Sequence, residues 1–239
     1  MISFIVPTLD EEGTIEQTLE CLAAYTGEHE IIVSDGNSTD GTVDICRRFT
    51  DHVIVHGEPR RQTIAEARNV GAAAARGDHL VFVDADVLIP DIDHFFATAY
   101  AAFAADDRVV ALTGKYRVTP ENATAADKYV FTMLGLQFLI QNNVLGIGGS
   151  GGEFQMIDAE AFRTVGGFDE RLPAAEDMDL FRRLSKIGRT RFESRLTVYH
   201  TGRRAHAVGW RTLLWQWFSN SVSVFAFRRS ASSEWTVVR

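Results

Sequence analysis

Gly77-Asp78-His79-Leu80-Val81-Phe82-Val83-Asp84-Ala85-Asp86 is the stretch whose reading decides the fold. Leu80 to Val83 is a short apolar run that reads as a buried strand, and it ends in two acids one residue apart. In extended backbone side chains alternate faces, so Asp84 and Asp86 would project to the same side at the strand's carboxyl end. Two carboxylates there make a hard-oxygen site suited to Mg²⁺ or Mn²⁺. Such ions take one or two protein carboxylates and fill their remaining positions with phosphate oxygens and water. The crevice beyond the strand ends is also where open α/β sheets bind ligands. The competing reading is a plain turn, since Asp is a common turn residue. The flanking chain has to decide.

On the amino-terminal side the same unit repeats. Ile2 to Val6 reads as a strand ended by Pro7, and Asp10-Glu11-Glu12 opens a helix through Ile15, Leu19 and Leu22. Glu30 to Val33 is a second strand, followed by a loop of turn formers, Ser34 to Thr42, and a helix from Thr42 to Phe49. Asp51 to His56 is a third strand, and a loop carrying Pro59, Arg60 and Arg61 leads to a helix over Ile64 to Arg76. Strands alternating with helices at this spacing predict βαβ units and a mainly parallel sheet. The first hundred residues are thus a nucleotide-binding type of α/β half-domain.

Beyond the Asp-x-Asp, Asp91 to Ala105 reads as a helix over the sheet and Val109 to Val118 as a strand paired antiparallel at a switch in sheet order. Tyr129 to Asn142 is an apolar helix. Gly146 to Gly152 holds five glycines in seven positions, a place for close backbone approach or positive φ. Phe154 to Ile157 is a strand, Asp158 caps a helix over Ala159 to Val165, and Gly166-Gly167-Phe168-Asp169 turns the chain. A helix starts at Glu176-Asp177-Met178-Asp179, Thr190 to Tyr199 is one strand or two, and Trp210 to Phe227 is a strongly apolar helix.

Composition bounds the function. The 239 residues are 46% hydrophobic and 23% charged, an ordinary globular balance. A net charge of −8 argues against a nucleic-acid binder. Arg203, Arg204, Arg211, Arg228, Arg229 and Arg239 nonetheless bias the C-terminal end positive. Cys21 and Cys46 have no metal-ligand spacing and read as reduced thiols of a cytosolic protein. Met1 leads directly into an apolar strand, and no apolar run reaches the ~18 residues of a membrane span. The expected location is therefore cytoplasmic, with peripheral contact on the inner face of the membrane as an open addition.

Six blocks now stand in register: Ile5-Val6-Pro7-Thr8-Leu9-Asp10-Glu11-Glu12, Val33-Ser34-Asp35-Gly36-Asn37-Ser38-Thr39-Asp40-Gly41-Thr42, Ala67-Arg68-Asn69-Val70-Gly71, Asp84-Ala85-Asp86, Gly166-Gly167-Phe168-Asp169 and Glu176-Asp177-Met178-Asp179. In this order they resemble a family 2 glycosyltransferase of the GT-A fold, over roughly residues 2 to 229. The resemblance implies a Rossmann-like, mainly parallel sheet flanked by helices. It implies a catalytic domain over residues 1–205, with a nucleotide-sugar half (1–106) and an acceptor half (107–205), followed by a C-terminal interfacial segment (206–239). It further implies a UDP- or GDP-sugar donor, a divalent ion, and transfer with inversion to a glycan or lipid-linked acceptor.

Roles can then be set against the residues. Pro7, Thr8 and Leu9 end the first strand where a base could stack, and Glu12 could reach ribose hydroxyls. Asp35 can accept from a ring N–H of uracil or guanine, or else close an Asx-turn. Arg68 is the candidate cation for the diphosphate, its alternative being a solvated helix arginine, and Arg60 and Arg61 are second choices. By the family match Asp86 is the direct metal ligand, Asp84 touches ribose or a metal-bound water, and His200 is a further ligand or a structural residue. The match also makes Asp177 the base that takes the acceptor's proton, with Glu176 binding acceptor or orienting it. Acids enrich the first turns of helices in any case, which suffices for Asp179.

The C-terminal helix departs from the processive members' Gln-x-x-Arg-Trp signature, so a single sugar transfer is expected. Its aromatic and basic residues suit the headgroup layer of an anionic bilayer, where it and the Tyr129–Asn142 helix would receive a lipid-linked acceptor. Packing of the two helices on each other, or in a homodimer, is the alternative. Two other functions compete with sugar transfer. A nucleotidyltransferase would want a basic, Gly-rich loop where this chain has Asp10-Glu11-Glu12, and a non-catalytic binding protein would lack the acids present here.

Overall fold

The computed structural model describes residues 1–227 and 229–232. Arg228 and Arg239, counted above in the C-terminal basic bias, lie outside the described residues. One sheet of seven strands organises the chain in the order β3-β2-β1-β4-β6-β5-β7. The strands are β1 (Ile2–Thr8), β2 (His29–Asp35), β3 (Val53–Val55), β4 (His79–Val83), β5 (Val109–Val118), β6 (Phe154–Asp158) and β7 (Arg189–His200). β1 pairs in parallel with β2 and β4, and β2 with β3. β6 runs antiparallel between β4 and β5, and β7 lies parallel to β5. With only β6 reversed, the carboxyl ends of six strands share one rim.

Both faces of the sheet are covered, which is why β1 reads as a continuous apolar run. Its alternation sends Phe4 and Val6 into one core layer with Leu19, Val81 and Phe96, and Ile5 into the other with Phe82, Phe162 and Leu180. The helices are α1 (Ile15–Ala23), α2 (Thr42–Cys46), α3 (Ile64–Ala74), α4 (Ile92–Ala104), α5 (Ala125–Leu139), α6 (Ala159–Thr164), α7 (Glu176–Leu184), α8 (Arg203–Val208) and α9 (Trp210–Phe227). A π-helical turn, Ile140–Val144, continues α5. α3 begins on a capping box, Thr63 with Glu66, and approaches β1 so closely that a Cβ on Gly71 would stand 2.5 Å from Ile5 Cγ2.

Several expectations need correcting. Pro7 does not end β1, which continues to Thr8 opposite Asp35. Its pairing with β4 stops at Ile5, so the missing proline N–H falls where no ladder bond is needed. Asp84-Ala85-Asp86 is a turn after β4, not extended backbone, since Val87 N donates to Asp84 O at 3.2 Å. β5 is antiparallel to β6 alone. The helix expected at Tyr129 starts four residues earlier, at a capping box of Thr124 and Asp127, and α8 was not foreseen.

Candidate active site at the strand rim

The β1 and β2 loops are laced together at the rim. Asp35, fully buried, accepts from Thr8 Oγ1 (2.8 Å), Ser38 N (2.8 Å) and Ser38 Oγ (2.5 Å). This is the turn-closing role set against base recognition above, extended across to β1; three internal donors occupy a carboxylate expected to face a nucleobase. Asp10, at φ 52°, takes Thr39 N at 2.6 Å, and Glu12 Oε2 accepts from Gly41 N at 2.8 Å. Glu12 is exposed, Pro7 and Thr8 are buried, and Leu9 is half-buried.

Arg68 differs most from its expected role. It is 1% exposed, which removes the solvated alternative, and both its terminal nitrogens donate inside the protein while Nε is buried without a partner among the described residues. Nη1 donates to Glu176 Oε1 at 2.8 Å, and Nη2 to Asp84 Oδ1 at 2.8 Å and Gly152 O at 3.1 Å. The guanidinium carbon also lies 5.3 Å from the centre of the Phe168 ring. Arg68 is thus a bracket between the Asp-x-Asp turn and the Glu-Asp helix rather than an open phosphate ligand. A Cβ on Gly152 would come within 2.5 Å of Nη2, which accounts for one glycine of the loop. Its neighbour Asn69 fastens the Gly166–Asp169 turn: Nδ2 donates to Phe168 O and Oδ1 accepts from Phe168 N, both at 2.9 Å.

Asp86 faces the other way. Its Oδ2 accepts from Thr201 Oγ1, and Arg203 Nε stands 3.7 Å from it while Arg203 Nη2 donates to Glu11 Oε1 at 2.5 Å. His200 is buried against Phe131, and its Nδ1 accepts from Gly202 N at 3.2 Å. That bond occupies the Nδ1 lone pair and puts the proton of the neutral ring on Nε2, which is buried without a hydrogen-bond partner among the described residues. Burial, partly countered by Asp86, holds it below the usual histidine range, hence neutral.

Asp177 sits in the first turn of α7, after Ala175 in left-handed backbone (φ 61°), and its Oδ1 accepts from Met178 N at 2.7 Å. Burial, then Glu176, pushes its carboxyl up to about 8. Glu153, which sequence reasoning missed, is pushed to about 8 by burial and then by Asp84. Asp84 rises to about 6 through burial, with Asp86 adding and Arg68 opposing. Only the glycine run beside Glu153 hinted at its importance. Thr201, equally missed, carried no signal at all.

Burial is the largest cause of all three shifts, and an excess of carboxylate over cation adds to it. Asp84, Asp86, Glu153, Glu176 and Asp177 face Arg68 and Arg203. A divalent ion would relieve that imbalance, and an all-oxygen donor set suits Mg²⁺ or Mn²⁺. Among the described residues no three ligating side chains converge as a ready cage, so donor phosphates and water would have to complete the shell.

Comparison with known proteins agrees with this geometry. The model of glycosyl transferase family 2 matches residues 3–166. The chain belongs to glycosyltransferase family 2. Succinoglycan biosynthesis protein ExoA of Rhizobium meliloti (strain 1021) is 32% identical over 236 residues, 90% of this chain and 66% of that protein. Validoxylamine A glucosyltransferase of Streptomyces hygroscopicus subsp. limoneus is 35% identical over 94 residues, 37% of this chain and 21% of its own. This family 2 chain therefore spans about two thirds or less of these relatives. Among solved structures, the mannosyltransferase PcManGT from Pyrobaculum calidifontis, in complex with GDP-Man and Mn²⁺, superposes with TM-score 0.72 at 22% identity, over 91% of this chain and 61% of that one. S. aureus TarS 1-349 in complex with UDP-GlcNAc gives 0.63 at 21%, over 83% and 57%. The mixed, mostly parallel sheet flanked by helices is the GT-A fold expected from the family's motifs.

Proposed function

We propose that this chain transfers one sugar, with inversion, from a UDP- or GDP-sugar to an acceptor hydroxyl. The observation that carries the reading is the Arg68 bracket, which joins Asp84 of the donor-side turn to Glu176 of the acceptor-side helix. Thr8 and Leu9 wall the nucleotide, Glu12 meets ribose, and Asp35 orders the loop beneath them. Asp86 and Asp84 would hold a divalent ion on the diphosphate. That ion, when bound, stabilises negative charge on the departing nucleotide. Asp177 takes the acceptor's proton from the face opposite the leaving group, and Glu176 fixes its position through Arg68. A base must be ionised, and a divalent ion held near Asp84 would favour the ionised carboxylate of Asp177 by offsetting the charge of the neighbouring acids. The neighbours' bound GDP-Man, UDP-GlcNAc and Mn²⁺ support the ligand class. Thermal stabilisation by a nucleotide panel with Mn²⁺ tests it: no stabilisation by any UDP or GDP species would sink the reading.

We infer further that the acceptor is lipid-linked and that the protein meets the bilayer peripherally. Tyr129, Met133, Leu136, Ile140 and Val144 stand exposed along α5 and its π-helical extension, as do Trp215, Phe218 and Val222 on α9. No helix among the described residues is long and apolar enough to cross a membrane. α9 is not merely a surface helix, since Leu213 and Val224 are buried, and an interface with a second copy would cover the same apolar side chains. Flotation with anionic liposomes at low salt separates the two: protein that stays in the soluble fraction as a dimer removes the membrane contact.

A further inference from the structure

We propose that the cleft between β5, β7 and the start of α5 binds a phosphate or diphosphate group. The cleft has a volume of about 400 Å³ and is lined by Lys115, Arg117, Lys128, Thr197, Tyr199 and Asp127, among others. That size falls in the ~300–1,000 Å³ range of small-molecule sites.

Its charge is out of keeping with the protein. The chain carries a net −8 and only three lysines, Lys115, Lys128 and Lys186, two of which line this one cleft. Among the described residues, none of Lys115, Arg117 and Lys128 forms an ion pair; the Arg117 guanidinium donates at 3.0 Å to the carbonyl of Tyr116. Asp127, the one carboxylate in the lining, is already saturated. It accepts from His206 Nε2 (2.9 Å), Trp210 Nε1 (2.8 Å), Thr124 N (2.7 Å) and Thr124 Oγ1 (2.7 Å). Three cations against one carboxylate whose hydrogen bonds are made elsewhere leave the cleft net positive, and an anion would offset their mutual repulsion. The Thr197 and Tyr199 hydroxyls add neutral donors, a mixture suited to phosphate oxygens.

The cleft is separate from the strand-rim site. Lys115 stands opposite Thr197 and Arg117 opposite Tyr199 in the β5–β7 register, so these four share a face. Tyr116, between them, turns to the other face, where its hydroxyl reaches Gly151 O at 3.2 Å, two residues from Glu153. The inference therefore stands whether or not the transfer reading does. The phosphate could belong to a soluble compound or to a lipid headgroup, and Tyr129, exposed beside Lys128, opens the apolar stripe of α5.

Calorimetric titration with inorganic pyrophosphate, in a chelating buffer that leaves the rim acids without a cation, tests the site. Wild-type protein should show saturable binding. Lys115→Gln/Lys128→Gln should bind at least about tenfold more weakly, each charge-assisted hydrogen bond being worth roughly a factor of ten. Lys115→Arg/Lys128→Arg should bind like wild type. Sedimentation with phosphatidylglycerol against phosphatidylcholine vesicles then assigns the source. Lysine-dependent sedimentation only with the former marks a headgroup, and its absence beside pyrophosphate binding marks a soluble phosphate. No saturable binding by wild type, or equal binding by a Gln variant that melts normally, overturns the proposal.

Discussion

Arg68 donates to Glu176 at 2.8 Å across 108 residues of chain, and the same guanidinium holds Asp84 sixteen residues away. Breaking a buried pair by removing one partner typically costs about 3–5 kcal/mol. Arg68→Ala is expected to lose stability in that range by urea unfolding, along with activity. Arg68→Lys, which keeps the charge but not the two-armed reach, should lose less. In Arg68→Ala, adding Glu176→Gln should recover part of the loss by removing the stranded charge; no recovery would mean the pair is not the source of the effect.

What the sequence disclosed followed from local chemistry. The β4 run, the start of α3 at Ile64 and the Asp158 cap are written in neighbouring positions and formed where the pattern placed them, while β1 runs past Pro7 to Thr8. Asp84, Asp86, Glu176 and Asp177 were legible as family motifs at strand and helix ends, whereas Glu153 belongs to none of those motifs. Partnership was not legible. Arg68 carries no mark of being bound by residues 16 and 108 positions away rather than by a phosphate, and Thr201 shows nothing of its bond to Asp86. Those contacts exist only once the sheet order brings β4, β6 and β7 to one rim.

Stability of the ion-free protein should fall as pH rises from 7 to 8. Asp177 and Glu153 sit near 8 when folded, against about 4 when unfolded, so the native state holds more protons in this window. The neutral histidines His79 and His200 act in the opposite sense, but that contribution is complete by about pH 7, above the unfolded histidine value near 6.5. Melting temperatures across the window should flatten in Asp177→Asn and Glu153→Gln. A wild-type melting temperature that climbs over this range contradicts the site's electrostatics.

Asp86→Asn keeps an oxygen for Thr201 and removes the charge proposed to hold the ion. Nucleotide at ~100 times its Kd should stabilise the wild type by about 2.7 kcal/mol in the presence of Mn²⁺. The variant should melt normally without ligand and show little of that gain. Equal stabilisation of the two proteins would remove Asp86 from the metal site.

Ala175 precedes Glu176 in left-handed backbone, at φ 61° and ψ 24°. That conformation costs a non-glycine residue roughly 1 kcal/mol. Ala175→Gly should therefore raise stability by up to about 1 kcal/mol in urea titrations. Because the same change loosens the turn that aims Asp177, activity should drop while stability rises. A variant that gains both would show that the turn's rigidity is not needed.

Asp127 ties three elements together through its four donors from α8, α9 and the cap of α5. Burial works against its ionisation, yet those bonds hold the carboxyl down at about 2. Asp127→Asn would turn one acceptor into a donor facing N–H or O–H groups, at about 1–3 kcal/mol for the stranded partner. Trp210 packs edge-on against Phe131 and Trp217, so its release is visible optically. Tryptophan emission should shift to the red, and proteolysis near Gly209 should accelerate. Nucleotide affinity should stay close to wild type, since the Arg68 bracket does not depend on this carboxylate. Unchanged emission with unchanged melting would mean that α8 and α9 are held chiefly by their apolar contacts.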